Sequence, residues 1–315
     1  MSTSLLPSKR LKESSLSKEL WNNRYLYLFV LPGVVWFLMF CYQPMYGILI
    51  AFKDYDIIEG VMASEWVGLA NFREFFNSPN FSVILTNSIA ISLLKLMFGF
   101  PAPIILAILL NEARSIVFKR IAQTISYLPF FVSWVVVAGI WYELFSTDGG
   151  VVNQLLASLG LIDEPIFWFG DPDLIWGMIV ASDVWKGIGF GTIIYLASIM
   201  SVNTDLYESA VIDGAHRLRQ IWHITLPAIR PTIILLFILN MAGILDAGFE
   251  QVYVMQNPML LDKAEIIDTY VMKMGIFRAQ YELATAVGLF KSMIGMIALF
   301  TLNFLIKKTG EEGIF

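Results

Sequence analysis

Ionisable side chains inside apolar runs are the most chemically informative feature of this 315-residue sequence. Lys95, Asp183, Lys186 and Lys291 interrupt runs that are otherwise hydrophobic, and Asp246 lies towards the end of another such run. A charge in hydrocarbon is costly, so these residues usually face a water-filled cavity or a partner charge. The sequence therefore predicts a wet pathway that binds a polar solute, rather than a site that makes or breaks bonds.

One predicted helical face gathers several candidates for that pathway. Asp183, Lys186, Gly187 and Phe190 fall at positions i, i+3, i+4 and i+7, which places them on one side of an α-helix. The alternative is that Asp183 and Lys186 only neutralise each other. A structural ion pair and a solute contact are compatible, and the sequence leaves both open.

Three further positions extend the predicted pathway. Asn240 is a neutral group that can hydrogen-bond a sugar hydroxyl or join two helices. Lys95 and Lys291 are either solute contacts or structural groups that pair with acids such as Asp246 or extend towards the membrane surface.

Motifs for catalysis, nucleotide binding and metal binding are missing from the sequence. Its two histidines, His216 and His223, lie in one polar stretch and form no H-E-x-x-H pair. No Gly-Lys pair occurs, so there is no G-x-x-x-x-G-K-[ST] phosphate loop, and there is no G-x-S-x-G nucleophile elbow. An intramembrane enzyme is disfavoured because no nucleophile and base lie at a workable spacing. We expect no catalytic residue, metal or cofactor in this chain, and any driving ATPase is another polypeptide.

Composition places the chain in a membrane. Hydrophobic residues make up 57% and charged residues only 15% of the sequence, against about 25% charged in soluble domains. A run of about 20 apolar residues crosses a bilayer as a helix. Six runs qualify: Tyr25 to Phe52, Val83 to Asn111, Ile121 to Leu144, Leu174 to Val202, Thr232 to Val254 and Leu283 to Ile306. The predicted class is an all-α membrane protein with six transmembrane helices.

The distribution of Lys and Arg predicts the orientation of these spans, because cytoplasmic loops accumulate basic residues. Thirteen basic residues fall in the N-terminal tail, the second and fourth loops and the C-terminus, against five in the other three loops. Both termini are therefore predicted to be cytoplasmic. The net charge of -5 arises largely from acids in the outer loops, so it gives no indication of nucleic-acid binding.

The predicted organisation is one six-span domain, residues 25–308, between two tails. Residues 1–24 are polar and basic, without the apolar core of a cleaved signal peptide, and form either a surface helix or a partly disordered tail. Residues 203–228 form a cytoplasmic loop, and 309–315 a short cytoplasmic tail. A short amphipathic outer helix is predicted from Val151, ending at Gly160. Cys41, the single cysteine, is expected to pack as a small apolar residue.

The cytoplasmic loop carries two helical patterns joined at a glycine. Glu208 to Asp213 is helical in character, Gly214 can take the positive φ that ends a helix, and His216 to Thr225 resumes the pattern. Leu226-Pro227 is expected to break the second helix. The small residues at the tip of such a rigid hairpin would let the groove of a partner protein close around it.

The spacing in this hairpin resembles the EAA signature of permease subunits of ABC importers, EAA-x3-G-x9-I-x-LP, with Ser209 in place of the first alanine. The resemblance implies that the hairpin couples the permease to its ATPase, where Glu208 contacts a basic residue of the ATPase. The implied coupling residues are Glu208, Ser209, Ala210, Asp213, Gly214, Ile224, Leu226 and Pro227.

A wider resemblance runs from about Tyr25 to Lys308 and indicates the oligosaccharide branch of binding-protein-dependent permeases. It is carried by DVWKGIGFGTIIYLA, LYESAVIDGA, GFEQVYVMQNP and ATAVGLFKS. It implies the type I importer fold, a multi-pass location in the bacterial plasma membrane, and a heterodimer with a second permease subunit. Two cytoplasmic ATPases that bind ATP and Mg²⁺, and an extracellular solute-binding protein, complete the implied assembly.

Similarity to the maltose permease of the same superfamily implies sugar contacts. In that permease the sugar-contacting side chains lie on the span before the signature. Counting back from Glu208 without gaps places the same positions at Asp183, Lys186, Gly187 and Phe190, the helical face described above. On the next span the count reaches Asn240 and Gly243, or Asp246 with a small offset. Phe190 is then placed to stack on a sugar ring, and Lys186 to suit an acidic sugar.

The expected function is transport of an oligosaccharide by ATP-driven alternating access, and both an acidic and a neutral cargo stay open. Two alternatives stay open: an ABC permease for another solute class, because the coupling signature is shared across amino-acid, ion and sugar systems, and a self-contained secondary transporter. The secondary transporter explains the spans and buried charges but not the spacing of the signature.

Overall fold

The computed structural model describes Trp21 and residues 23–308. Most of the expected tail 1–24 and all of the expected tail 309–315 lie outside the described residues. The chain divides into two compact units between Leu49 and Ile50. Helices account for most of the described residues of each unit.

The described part of the first unit is a helical run with one wide turn, and the run continues past Leu49. Helix α1 spans Arg24–Phe37, a π turn spans Leu38–Tyr42, and helix α2 spans Gln43–Met45. The run continues as 3₁₀ turns at Tyr46–Phe52. From Arg24 to Phe52 it is long and apolar enough to cross a membrane, as expected for the first span.

The described part of the second unit is mainly helical and contains one minimal hairpin. Strands β1 (Lys53–Asp54) and β2 (Glu65–Trp66) pair antiparallel, with Lys53 opposite Trp66. Its helices are α3 Gly60–Ala63, α4 Ala70–Asn77, α5 Phe81–Gly99, α6 Pro101–Glu112, α7 Ile116–Tyr127, α8 Trp134–Leu144, α9 Val151–Ser158, α10 Ile175–Met200, α11 Thr204–Ile212, α12 Arg217–Gln220, α13 Leu226–Ala242, α14 Phe249–Met255, α15 Leu261–Ala264, α16 Ile267–Met272 and α17 Tyr281–Lys308. The all-α class is confirmed, and α9 is the predicted short amphipathic helix.

Five helical runs in the described residues are long and apolar enough to cross a membrane. They are Arg24–Phe52, Phe81–Glu112, Ile175–Met200, Arg217–Ala242 and Tyr281–Lys308. The pair Ile116–Phe131 and Trp134–Leu144 makes a sixth only if it counts as one span, because it bends by 108°. The predicted third span, Ile121 to Leu144, therefore corresponds to this bent pair of helices and not to one straight helix.

The bend has a local cause. Pro129 lies in a 3₁₀ turn, Leu128–Phe131, after which Val132 is extended. Ser133 then starts α8, where its hydroxyl accepts a hydrogen bond from the Val136 N–H at 3.5 Å. A proline that cannot donate, followed by an N-capping serine, ends one helix and begins another.

The fifth span ends earlier than predicted: the expected range was Thr232 to Val254, so its C-terminal boundary is wrong. Helix α13 ends at Ala242, and Gly243 follows as its cap. Gly248 takes φ +87° immediately before α14, a conformation that glycine adopts without strain. Hydropathy alone did not reveal this break because most of the residues around it are apolar.

Leu226-Pro227 does not break the second hairpin helix, contrary to expectation. Helices α12 and α13 run together from Arg217 to Ala242 through a π turn at Ile221–Thr225. Proline lacks an N–H and clashes with the carbonyl four residues earlier. That residue, His223, lies in the π turn, where the wider ladder accommodates the proline. In the first unit Pro44 has the same relation to its own π turn.

The segment after α13 folds back into the interior instead of forming a solvated outer loop. Val252, Met255, Leu260 and Ile266 are fully buried, in one apolar cluster with Ile179 of α10. Polar groups of α5 hold this segment from the other side. The Asn87 side chain donates to the carbonyls of Asp262 (3.2 Å) and Glu265 (3.0 Å), and the Ser88 hydroxyl accepts from the Ile267 N–H at 2.9 Å.

Helix α10 crosses α7 at a glycine contact. A Cβ on Gly189 would collide with the backbone of Ser126, whereas a Cβ on Gly177 of the same helix would meet no atom within 4 Å. Small residues let helix backbones approach closely in membranes. Gly189 therefore sets the distance between α10 and α7.

The two glycines allow a matched test. Alanine stabilises a helix interior by about 1 kcal/mol relative to glycine. Gly177→Ala is therefore expected to keep or raise the melting temperature of the purified protein in detergent. Gly189→Ala should lower it, because the added methyl group forces the helices apart. Equal melting temperatures for the two variants would contradict close packing at Gly189.

Candidate functional site

A cavity of about 500 Å³ lies among α5, α6, α10, α13 and the 243–248 segment. Its volume falls in the roughly 300–1,000 Å³ range of small-ligand sites. Its polar lining comes from Ser92, Lys95, Asp183, Tyr195, Asn240 and Asp246. Gly187 and Gly243 also line it. The structure thus brings Lys95, Asp183, Gly187, Asn240 and Asp246 of the predicted pathway together.

An ion pair joins two walls of the cavity. The Lys95 Nζ of α5 lies 3.0 Å from Oδ1 of Asp183 on α10. The alternative in which Asp183 pairs with Lys186 is therefore replaced by a pair between different helices. The Lys95 Nζ also donates to the Gln251 side-chain oxygen at 2.5 Å.

Gln251 is a site residue that the sequence analysis did not single out. Its side chain is buried, and its amide nitrogen donates to the Ile179 carbonyl at 2.6 Å and to the Ser182 hydroxyl at 2.7 Å. The signal available in the sequence was an uncharged polar residue between Glu250 and the apolar Val252 in GFEQVYVMQNP. Its partner Lys95 is 156 residues away in the chain, so no local pattern could connect the two.

Lys186 and Phe190 contact the bend between α7 and α8 and do not line the cavity, although they share a stripe with Asp183. The Lys186 Nζ donates to the Phe130 carbonyl at 2.7 Å and lies 5.1 and 5.3 Å from the ring centroids of Phe130 and Trp134. Phe190 stacks on Phe130 with centroids 3.9 Å apart. At about 100° per residue, Lys186 and Phe190 lie about 100° and about 60° around α10 from Gly187, on the far side of Asp183. They meet the bend between α7 and α8.

Lys291 is held by a carboxylate that the sequence analysis missed. Its Nζ lies 2.7 Å from both oxygens of Asp268 and 3.8 Å from Asp246. Lys291 is not part of the cavity lining, but it contacts the cavity through Asp246. Pairing with Asp246 was one of the expected alternatives, and Asp268 is the closer partner.

The exposed hairpin begins with a well-terminated short helix. The Asn203 side chain accepts from the Asp205 N–H at 3.0 Å to start α11. At the other end the Ala215 N–H donates to the Ala210 carbonyl at 2.8 Å, and the Gly214 N–H to the Val211 carbonyl at 3.0 Å. With φ +77° at Gly214, this is a Schellman motif. The predicted glycine joint between two helices is confirmed, and Ala210 and Gly214 are spaced as this motif requires.

Residues of the signature divide into an exposed and an inward set. Glu208, Ser209, Asp213 and Gly214 are exposed, whereas Ala210, Ile224 and Leu226 are half-buried. Pro227 is exposed in the first turn of α13. Leu226 packs against the buried cluster of α6, α10 and α13. One set therefore presents a surface and the other anchors it.

Two polar contacts fix the hairpin to its surroundings. The hydroxyl groups of Tyr207 and Thr225 lie 3.0 Å apart, joining α11 to the π turn. Arg217 reaches Glu112 at the end of α6, with 3.3 Å between Nη1 and Oε2. Exposed apolar side chains remain on the hairpin, at Leu206, Val211, Ile212, Leu218 and Trp222.

The two acids at Lys291 give a test of this assignment. Asp268→Asn should lower the free energy of unfolding by roughly 1–3 kcal/mol, because it removes the close charged acceptor of a partly buried ammonium. Asp246→Asn should cost about 0–1 kcal/mol, since its carboxylate is more exposed and more distant. Denaturant unfolding in detergent measures both, and an equal or reversed order would show that Asp268 is not the main partner.

Comparison with known proteins identifies relatives of this chain. Residues 99–309 match the family described as binding-protein-dependent transport system inner membrane component. Protein LplB of Bacillus subtilis (strain 168) is 49% identical over 93% of this chain and 92% of its own length. The polygalacturonan/rhamnogalacturonan transport system permease protein YteP of the same organism is 44% identical over 98% of this chain and 95% of its own length.

A solved structure extends the similarity to the fold. A chain of a bacterial ABC transporter involved in the import of the acidic polysaccharide alginate superposes with a TM-score of 0.86 at 37% identity, covering 94% of this chain and 99% of that one. The resemblance drawn from the sequence is confirmed. The protein belongs to the family of binding-protein-dependent transport system inner membrane components.

Proposed function

We propose that this chain is the permease subunit of an ATP-driven importer that moves an acidic oligosaccharide across the bacterial plasma membrane. The observation that carries the proposal is one continuous helix, Arg217 to Ala242, which begins in the exposed hairpin and ends at the polar cavity. A polypeptide with this arrangement links a surface for a partner to a site for a solute.

The chemistry of the cavity supports a sugar as cargo. Asn240 and Tyr195 offer neutral hydrogen-bonding groups, and Lys95 and Asp183 offer charged ones, beside apolar walls. Sugars present hydroxyl groups and apolar ring faces together. The names of two relatives, which refer to polygalacturonan and rhamnogalacturonan and to the acidic polysaccharide alginate, support an acidic sugar in particular.

Coupling to a separate ATPase is supported by the surface of the hairpin. Glu208 and the exposed apolar residues of α11 lie on a polar segment between two spans, where an apolar surface has no lipid core to cover it. We assign this surface to a cytoplasmic ATPase that binds ATP and Mg²⁺, with Glu208 contacting a basic residue of that subunit. A second permease subunit, a second ATPase and an extracellular solute-binding protein complete the proposed assembly.

The proposed mechanism is alternating access. Closure of the ATPases moves the hairpin, and the movement passes along α12 and α13 to Asn240 at the cavity. The Schellman closure at Gly214 and the Tyr207–Thr225 contact make the hairpin stiff enough to transmit it. In this arrangement both termini are cytoplasmic, and the bent α7–α8 pair counts as one of six spans.

Reversing one charge tests the coupling surface. Glu208→Lys is expected to abolish oligosaccharide uptake and uncouple ATP hydrolysis from transport, because it places like charges at the proposed contact, while the protein still inserts into the membrane. Glu164→Lys, which reverses an exposed acid outside the hairpin, is the control and should transport normally. Both activities are measured in proteoliposomes, and normal uptake by Glu208→Lys would refute the assignment.

Two identical helix endings test the stiffness of the hairpin. Gly160 ends α9 with φ +67° and the same pair of hydrogen bonds, Leu161 N–H to the Leu156 carbonyl and Gly160 N–H to the Ala157 carbonyl, both 3.0 Å. Gly160→Val and Gly214→Val therefore impose a similar backbone strain, roughly 1–3 kcal/mol.

Only Gly214→Val is expected to reduce the amount of sugar that is transported for each ATP hydrolysed. The measurement is the ratio of sugar uptake to phosphate release in proteoliposomes. A comparable fall in that ratio for Gly160→Val would show that backbone strain anywhere in the chain, and not the stiffness of the hairpin, accounts for the loss.

A further inference from the structure

We infer that Lys95 is the anion-binding residue of the cavity, that Gln251 is its fixed support, and that Asp183 is an exchangeable counterion which the carboxylate of an acidic sugar replaces. The inference rests on the proposed function and names the recognition step within it. Its starting point is that one ammonium group has two acceptors of different character, a neutral amide at 2.5 Å and a carboxylate at 3.0 Å.

Gln251 cannot turn away from Lys95. Its amide nitrogen donates to the Ile179 carbonyl, which can only accept, so the amide oxygen must face the ammonium. The Ser182 hydroxyl, which itself donates to the Ile179 carbonyl at 3.0 Å, accepts the second amide hydrogen. The Gln251 residue is 1% exposed, so water does not compete for these bonds.

The backbone beside this amide is shaped around the ammonium. A Cβ on Gly248 would lie 2.7 Å from the Lys95 Nζ, too close for any real contact. Gly248 and Gln251 are one turn apart at the start of α14. This pair therefore supplies both the space and the acceptor that place Lys95 at the cavity wall.

Asp183 differs from Gln251 in its freedom to leave. Its side chain is 32% exposed, lines the cavity, and has room beside it, since a Cβ on Gly99 would still lie 3.8 Å from Oδ2. When the carboxylate turns away, it enters the aqueous side of the cavity. The cost of separating it from Lys95 is then smaller than for an enclosed ion pair.

The positive charge at this position has no substitute nearby. Of the described residues that line the cavity, Lys95 is the single cation, and the neighbouring Lys291 is held by Asp268. Ser92, one helical turn before Lys95, is 6% exposed, and its hydroxyl oxygen finds no hydrogen-bond partner in the described part of the chain. It lines the cavity and is free to donate to an incoming carboxylate oxygen.

The two partners of Lys95 lead to opposite predictions for substitution. Gln251→Met keeps the volume but removes the acceptor, so Lys95 depends more on Asp183 and is less available to substrate. Asp183→Asn removes the competing carboxylate and makes the cation more available. A purely structural role for both residues would shift both variants in the same direction.

The test is uptake by the complete transporter in proteoliposomes, with trigalacturonate and its trimethyl ester supplied together. The ester keeps the size and hydroxyl groups of the trimer and lacks its charges. Because the binding protein is the same in every assay, a change in the ratio of acid to ester between variants reports this chain. The ratio is internal to each sample, so differences in folding yield cancel.

We expect Gln251→Met to lower the ratio about tenfold, the effect of losing one hydrogen bond to a charged group, and Asp183→Asn to raise it. Gly248→Ala should lower the ratio like Gln251→Met, whereas Gly160→Ala, with a similar positive φ and no atom within 4 Å of the added methyl group, should leave it unchanged. If Gln251→Met and Asp183→Asn both keep the wild-type ratio, the inference is refuted and the proposed function stands. Uptake of neither trimer by the wild-type protein overturns the proposed substrate class and the inference with it.

Discussion

The need to partner every charge that is withdrawn from water shapes the interior of this protein. In the part of the chain that the structure describes, lysine side chains enter the apolar bundle at three places, and each is held in a different way. Lys95 is held by a carboxylate and an amide, Lys186 by a carbonyl and two aromatic rings, and Lys291 by a carboxylate that it meets at both oxygens. Each arrangement joins segments that are far apart in the chain. An ammonium without these acceptors would be costly in such surroundings. The charges therefore help to determine which helices lie together, in a bundle where apolar contact with lipid and with protein differ little in energy.

Features encoded within a few residues were predictable from the sequence, and features that depend on distant partners were not. The hairpin joint at Gly214, the short helix from Val151 and the ends of α10 follow from local rules for capping and periodicity. The break at Gly243 escaped notice because hydropathy measures composition, and most of the residues around that break are apolar. Lys186 shared a predicted face with Asp183, but its acceptor is a backbone carbonyl, which leaves no trace in a sequence. Gln251 and Asp268 were missed because their importance comes from Lys95 and Lys291, each supplied by another helix.

Proline has opposite consequences at different places in this chain, and the difference explains the mechanical design. Pro129 coincides with the end of a helix because an extended residue and a capping serine follow it. Pro227 leaves its helix continuous because a π turn precedes it and takes up the clash. The part of the signature that a local rule identified as a stop is thus the place where the hairpin joins a membrane span. A stop at Pro227 would allow the hairpin to move without the cavity, whereas a continuous helix requires the two to move together.

A built-in counterion also resolves a conflict between stability and recognition. A cation exposed in an empty apolar cavity is costly, yet a cation enclosed with its partner is unavailable to a substrate. Lys95 avoids both extremes, since its buried amide acceptor stays in place while its carboxylate partner borders open space. An arriving carboxylate then exchanges with one already present, so the ammonium of Lys95 has a carboxylate partner both before and after binding. Such an exchange yields selectivity for an acidic sugar without strong net attraction, and weak net attraction suits a site that must release its cargo.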